Sequence, residues 1–388
     1  MVASTLSSIR ALVFLLLLCL ATISPLHARS DSTPLTINIL LSQPSLDPLF
    51  PLLESIQGPF AERNIALSLN IQPALQDVPP SPPETARLTL YIDESAWRVI
   101  ADTPSHLTAS DLLFTNHPEG LPLPSAPHQQ LLARNLLVGA GLYATQSYSL
   151  ALRYFNIAAD TPFEEDVHTP RALHFYIANA ELEAGNTGAA ITHYQQSLAY
   201  TPVNTLIDHH AAFNLGWLYL QQGETDLALQ PITNLIQSNI AASDQPANHH
   251  ISLLRSRSTL YALALQYAPA IQDLNHALEI ARTASADFAP AALADLYLQR
   301  GQTYLLLYEW DQVLNNYNTA LELDPSRADL YYYRGILYYS ILQTGESLYA
   351  EALSDFQTYL DRAPDGSHAA EAARLIADIQ RQQEALNG

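Results

Sequence analysis

Residues 299–325 read QRGQTYLLLYEWDQVLNNYNTALELDP. Apolar and aromatic residues recur here at three- and four-residue steps, which is the period of an amphipathic helix. Gly301 precedes Val313 by twelve positions, Tyr317 follows Val313 by one helical turn, and Pro325 ends the stretch. Two helices joined by a short turn are expected. The glycine lets the pair approach closely, the tyrosine fills the space beside it, and the proline forbids continuation.

The same register recurs in both directions along the chain. Small residues align at Ala151, Ala190, Ala228, Ala270, Val313 and Ala352, at intervals of 39, 38, 42, 43 and 39 residues. One turn after each stands a bulky residue: Phe155, Tyr194, Ile232, Leu274, Tyr317 and Phe356. Twelve before each of the first five stands a small one, namely Gly139, Ala178, Gly216, Ser258 and Gly301; Gly335 fills that role in the sixth, after five residues inserted within Leu342–Tyr349. Prolines close four units, at Pro162, Pro202, Pro325 and Pro364. A single helical pair cannot bury both of its faces, so six such pairs are expected to stack into a solenoid.

These residues resemble the tetratricopeptide repeat (TPR) family. The clearest unit is Asn214-Leu215-Gly216-Trp217-Leu218-Tyr219 with Ala228, Ile232 and Leu235. Gln299–Tyr304 with Tyr317, Ala320 and Pro325 is a second, Tyr332–Gly335 with Tyr338, Ala352, Phe356 and Pro364 a third, and Ala189-Ala190 with Tyr194 and Pro202 a fourth. The chain departs from the family in its longer spacing, in the fourth unit's lack of glycine and closing proline, and in Val313. The resemblance implies a mainly α fold, a solenoid of about six repeats over residues 128–388. Ser367–Leu386 is expected as a capping helix with a polar outer face.

Ahead of the solenoid the composition changes: 16 of the 25 prolines lie in residues 1–127, and 20 of the 21 tyrosines lie after them. Thr36–Leu41, Ile65–Ile71 and Leu88–Ile92 carry strand patterns, and Asp93-Glu94-Ser95 turns into a further strand at Trp97–Ala101. Asp47-Pro48 is a helix start, with a short helix expected over Leu49–Gln57. Residues 34–120 thus read as a small α/β module, joined by a Pro-rich linker at residues 121–127. Residues 1–28 contain the apolar run ALVFLLLLCL (Ala11–Leu20) after Arg10 and before Pro25 and Ala28. That order fits a cleaved export signal, or an N-terminal anchor formed by residues 11–23. A periplasmic, secreted or cell-surface location is expected.

The chain has 388 residues and a formal net charge of −21, and all seventeen of its basic residues are arginines. Such acidity argues against nucleic acid as the main partner, and membrane contact is expected only through an uncleaved N-terminal segment. Cys19 is the one cysteine, so Cys-based metal centres and disulfide frameworks are not expected. Motifs of the GxSxG, GxxxxGK[ST] and HExxH kinds are absent, and without lysine there is no Schiff-base or Walker-type chemistry. A non-catalytic protein without cofactor or metal is expected. The sequence leaves oligomeric state open.

In the TPR family the first helix of each pair lines a concave groove. Carried onto this sequence, the resemblance selects Phe175 and Asn179, Phe213 and Trp217, Arg255 and Thr259, Leu298 and Gln302, and Tyr332 and Ile336. Rings with neighbouring amides suit an extended peptide or a partner helix. The family's lysine-based hold on a terminal carboxylate is not expected here. For any single aromatic the alternative is packing between helices, and for Arg255 it is a salt bridge with a nearby acid. Tyr304 and Tyr338 are expected in the core and Tyr339 in the groove. His209-His210 and His249-His250 could meet on one rim, but the plainer account, and the one expected here, is solvated helix starts. Glu164-Glu165-Asp166 with His168 reads as a solvated loop. A rival reading places a small ligand at Ser42, Ser45 and Asp47, beyond the first strand, where α/β folds bind ligands. There the plain alternative is that Asp47 caps a helix and the serines satisfy a turn.

Overall fold

The computed structural model describes residues 35–41, 60, 67–73, 86–92, 96–102, 121–122, 127–160, 168–200, 206–241, 247–283, 288–342 and 348–387. They fall into two compact units, one within Leu18–Asn239 and the other within Ile240–Gly388. The expected signal, the Leu49–Gln57 helix, Ser42, Ser45, Asp47 and Glu164–Asp166 lie outside the described residues.

The first unit begins with a five-stranded sheet: β1 (Leu35–Leu41), β2 (Leu67–Pro73), β3 (Ala86–Ile92), β4 (Ala96–Asp102) and β5 (Leu121–Pro122), in the order β2-β1-β3-β4-β5. β1 runs parallel to both neighbours, while β3–β4 and β4–β5 are antiparallel. The segment expected as a linker opens with β5, whose Leu121 pairs with Trp97. Helix α1 (Pro127–Ala144) follows and packs on β3 and β4.

From there every described element is a helix, thirteen in all among the described residues. The first unit continues with α2 (Tyr148–Ala159), α3 (His168–Glu183), α4 (Thr187–Leu198), α5 (Leu206–Gln221) and α6 (Thr225–Ala241). The second holds α7 (Ala247–Leu263), α8 (Tyr267–Thr283), α9 (Pro290–Leu306), α10 (Trp310–Leu323), α11 (Ala328–Leu342), α12 (Tyr349–Arg362) and α13 (Ala369–Asn387). Each odd-numbered helix up to α11 is the first of a pair, and α13 stands alone at the end. Pro325 falls between α10 and α11, Pro364 between α12 and α13, and the five-residue insertion between α11 and α12.

The register that organises the sequence also organises the core. Ala151, Ala190, Ala228, Ala270, Val313 and Ala352 are all buried, as are Phe155, Tyr194, Ile232, Leu274, Tyr317 and Phe356. The rings of Phe155, Tyr317 and Phe356 lie against Gly139, Gly301 and Gly335. A Cβ on these glycines would come within 2.6, 2.7 and 2.8 Å of those rings, closer than carbon atoms approach one another. Five turns between the helices of a pair share one geometry. Gln146, Gly185, Gly223, Leu265 and Tyr308 adopt positive φ, five residues before the aligned small residue. Beside each, the next residue's N–H reaches back to close the helix, as Asn186 does to the Glu181 carbonyl at 2.8 Å and Gln266 to that of Tyr261 at 2.8 Å.

The units differ in what stands one residue before the small residue of each first helix, that is, before Gly139, Ala178, Gly216, Ser258, Gly301 and Gly335. The first unit places Val138, Ile177 and Leu215 there, and the second places Arg257, Arg300 and Arg334. Arg257 forks onto Asp273 (2.8 and 2.7 Å) and Arg334 onto Asp355 (2.8 and 2.8 Å), each within its own helical pair. Arg300 donates to Asn316 of its own pair at 2.9 Å and to Asn275 of the preceding pair at 2.6 Å; Arg334 likewise reaches back to Asn318 at 2.7 Å. Tyrosines lie beside these guanidiniums, Tyr297 against Arg300 and Tyr331 and Tyr338 against Arg334. Only a planar fork with several donors can clasp two partners and lie on a ring at once, a demand arginine meets and lysine does not.

Candidate functional site

All ten sequence-selected residues lie on first helices, but Phe175, Asn179, Leu298 and Tyr332 are buried there, and only Phe213, Trp217, Arg255, Thr259, Gln302 and Ile336 keep part of their surface. In the first unit Phe175 is fully buried, lying near Tyr176 and Tyr194. Asn179 is buried as well and accepts the Tyr194 hydroxyl proton at 2.5 Å. Asn214, on the next first helix, donates to Tyr194 Oη at 3.0 Å and joins the same cluster. Burial raises the Tyr194 phenol well above its usual pKa, so it stays a neutral donor. Phe213 and Trp217 are half-buried, and Trp217 packs against the core with one side.

In the second unit Arg255 and Thr259 come together through a residue that sequence reasoning missed, Gln299. Arg255 Nε donates to Gln299 Oε1 at 3.2 Å, while Gln299 Nε2 donates to the Arg255 carbonyl at 3.1 Å and to Thr259 Oγ1 at 3.0 Å. Gln299 and Asn214 occupy the same register position, fourteen before the aligned residue. Each reaches the preceding first helix. A polar amide recurring at that offset was the signal available in the sequence.

The salt bridge considered for Arg255 is not the one formed. Arg327 takes the neighbouring Asp295, and it also forks onto Asp329 at 3.0 and 2.8 Å. Burial depresses the Arg255 pKa, the nearby Asp295 counters this, and Arg327 adds to it. These groups form a polar strip over α7, α9 and α11. Leu298 is buried; Gln302 and Ile336 are partly exposed.

Tyr332 is buried, stacked on His368 at 4.2 Å and 5°, and it donates to Glu371 at 3.0 Å. Tyr339 donates to Asp378 at 2.8 Å. These two groove candidates therefore fasten α13, whose Ala372, Leu375 and Ile379 face inward and whose other side is polar and exposed. Tyr304 and Tyr338 are half-buried rather than fully enclosed.

His209 and His210 lie in one unit and His249 and His250 in the other. Within the first unit a pair that sequence reasoning did not single out meets: His174 Nδ1 and His193 Nδ1 are 3.1 Å apart, with ring centroids at 5.3 Å. That centroid spacing is the nitrogen-to-nitrogen span plus a ring radius on each side, so the rings meet edge to edge and share a proton. Among the described residues no group of three His, Cys, Asp or Glu side chains is placed to hold a metal ion. No helix among them is long and apolar enough to cross a membrane.

Comparison with known proteins agrees with the repeat register. Residues 175–243 match a family model described as tetratricopeptide repeat, and residues 301–341 match one described as TPR repeat. No curated protein matches the sequence. Among solved structures, the apo form of RapI is 12% identical over 67% of this chain and 77% of that one, with a TM-score of 0.46. A tetratricopeptide repeat protein from Parabacteroides merdae is 16% identical over 66% and 86%, with a TM-score of 0.42. The APC/C hetero-tetramer Cut9-Hcn1 gives 18% identity and a TM-score of 0.39 over 64% of this chain, which spans 42% of the length of that chain. Over residues 175–243 and 301–341, then, the chain is similar to tetratricopeptide repeats.

Proposed function

We propose that this chain is an exported, non-catalytic scaffold that docks a protein or peptide on the face of its first helices. The observation that carries this reading is the division of labour within each repeat. The aligned small residue, the bulky residue after it and the glycine before it do the packing. Phe213, Trp217, Arg255, Thr259, Gln302 and Ile336, at repeating positions on the same helices, keep part of their surface. In the first unit the rings offer area, and in the second a cation and an amide offer directional bonds, each to an extended backbone. Residues 1–28 serve as the export signal or as an anchor, and residues 34–120 form the α/β module.

Affinity capture from the exported fraction, followed by mass spectrometry, tests this. A defined partner is expected with the wild-type chain and not with a Phe213→Ala/Trp217→Ala variant whose helical circular dichroism is unchanged. Equal capture by both refutes the assignment of the face. A second reading draws support from the sheet topology, in which β1 lies between two parallel neighbours: a small ligand is held by Ser42, Ser45 and Asp47, which follow β1 in the sequence. Under that reading Asp47→Ala, not the Phe213/Trp217 variant, abolishes capture.

A further inference from the structure

We propose that His174 and His193 form a two-imidazole site for a divalent transition-metal ion of the copper and zinc class; the proposal stands whether or not a partner docks on the first helices. His174 lies on α3 and His193 on α4, the two helices of one pair, and both rings are half-buried, within reach of an ion from solvent. Their Nδ1 atoms face each other at 3.1 Å. With metal–nitrogen bonds of about 2.0–2.1 Å, two nitrogens at that separation subtend roughly 95–102° at a common ion. That is the angle between neighbouring ligands of a four- to six-coordinate centre. The rings approach nearly head-on, so each must tip towards the ion, and the torsion that turns a histidine ring is broad enough to allow it.

The scaffold sets the two nitrogens in advance. His174 stands one turn before Ala178 and His193 three residues after Ala190, and both alanines are fully buried in a pair whose helices pack along their length. Tyr200 lies alongside the His174 ring at 6.0 Å and 25°. Ligands held this way lose little freedom when they bind. Imidazole nitrogen is a donor that copper, zinc and nickel favour, provided that its lone pair is free. Burial lowers the pKa of both rings, so both are neutral at neutral pH. One proton lies between the facing nitrogens. On binding it passes through solvent to Nε2 of its own ring, both Nδ1 lone pairs turn to the ion, and no net proton is released. Glu181, whose charge reaches the His193 ring, favours the added cation. No third His, Cys, Asp or Glu joins the pair among the described residues, so water fills the remaining positions and the ion stays exchangeable. A separation of nineteen residues across a helical turn matches no short metal motif, which is why the sequence pointed to no metal.

Titration of the full chain with Cu2+, followed by pulsed electron paramagnetic resonance, tests this. Cu2+ is the probe because such donors bind it most strongly in the divalent series and its spectrum counts coordinated imidazoles. The tightest-bound equivalent is expected to show two imidazoles in the wild type. His174→Gln and His193→Gln are each expected to weaken it about tenfold or more and to leave one imidazole, since losing even a group behind a ligand costs that much. His276→Gln, which removes an exposed histidine on α8, is expected to change neither reading. Circular dichroism verifies that each variant is folded. A tight equivalent that survives both single variants, or that His276→Gln weakens equally, overturns the proposal. A wild-type spectrum with one imidazole or none also overturns it, leaving the pair a structural hydrogen bond only, and that reading needs no variant.

Discussion

Replacing Gly301 by alanine tests the packing rule on which the whole array depends. An alanine Cβ there would lie 2.7 and 2.9 Å from Tyr317 Cε1 and Cδ1 and 3.1 Å from Asn316 Cβ. Tyr317 is buried and has no room to retreat, so the pair must splay; overpacking of this kind costs about 1–3 kcal/mol. Against it stands a helix-propensity gain of about 1 kcal/mol for replacing glycine. Gly188 on α4, with nothing within 4 Å of its would-be Cβ, supplies the control that carries only the gain. The difference between Gly301→Ala and Gly188→Ala is therefore the steric cost alone, about 1–3 kcal/mol, or roughly five- to 150-fold in a local opening equilibrium. Stacked repeats open in parts, so the assay is native-state hydrogen exchange of amides in α9 and α10 rather than one global midpoint. Exchange there is expected to accelerate in Gly301→Ala, while Gly188→Ala slows exchange in its own pair. The double variant Gly301→Ser/Tyr317→Leu copies the fourth repeat, where buried Ser258 and Leu274 hold the same two positions, and should recover much of the protection. If Gly301→Ala slows exchange as Gly188→Ala does, the ring is not seated on the glycine and the reasoning fails.

Three further outcomes are expected. Leu265 is a leucine at φ 61° with 72% of its surface exposed, so Leu265→Gly should raise the second unit's thermal midpoint by relieving about 1 kcal/mol of backbone strain. Arg334→Lys loses the fork onto Asp355 and the reach to Asn318, and is expected to destabilise α11–α12 by about 1–3 kcal/mol, read by urea denaturation. Burial lowers the pKa values of His174 and His193 below their usual value; the neighbouring ring adds to this at His174, while Glu181 and Gln196 oppose it at His193. The folded state therefore binds protons less readily than the unfolded one. Stability contributed by the pair is complete above about pH 6.5 and lost as pH falls below it. Thermal melts at pH 5 and pH 8 should differ less in His193→Gln than in the wild type.

The hairpin register was legible because close packing leaves a short list of residues that fit: glycine or alanine under a ring, proline between pairs. The face was only partly legible. Helical spacing places Phe175, Asn179 and Tyr332 on the first helices but does not tell which neighbour reaches them first. Tyr194 took Asn179, and His368 and Glu371 took Tyr332. Gln299 was missed because it lies one residue off the selected position, and its role appears only when the preceding helix is beside it. The absence of lysine was plain from composition, yet its structural meaning needed the forked geometry of Arg257, Arg300 and Arg334.

Those three arginines also bear on how the array could change its length. Each carries its own pair's clasp, and Arg300 and Arg334 also grip the asparagine presented five residues past the aligned position of the preceding pair. The segment from α9 through α10 therefore bears a matching plug and socket at its two ends. A tandem copy of it would meet the original with the same arginine facing the same asparagine. Within this unit a duplication yields a longer array with its joints already made, whereas a repeat moved in from the first unit would bring Val138, Ile177 or Leu215 to a joint that needs a cation.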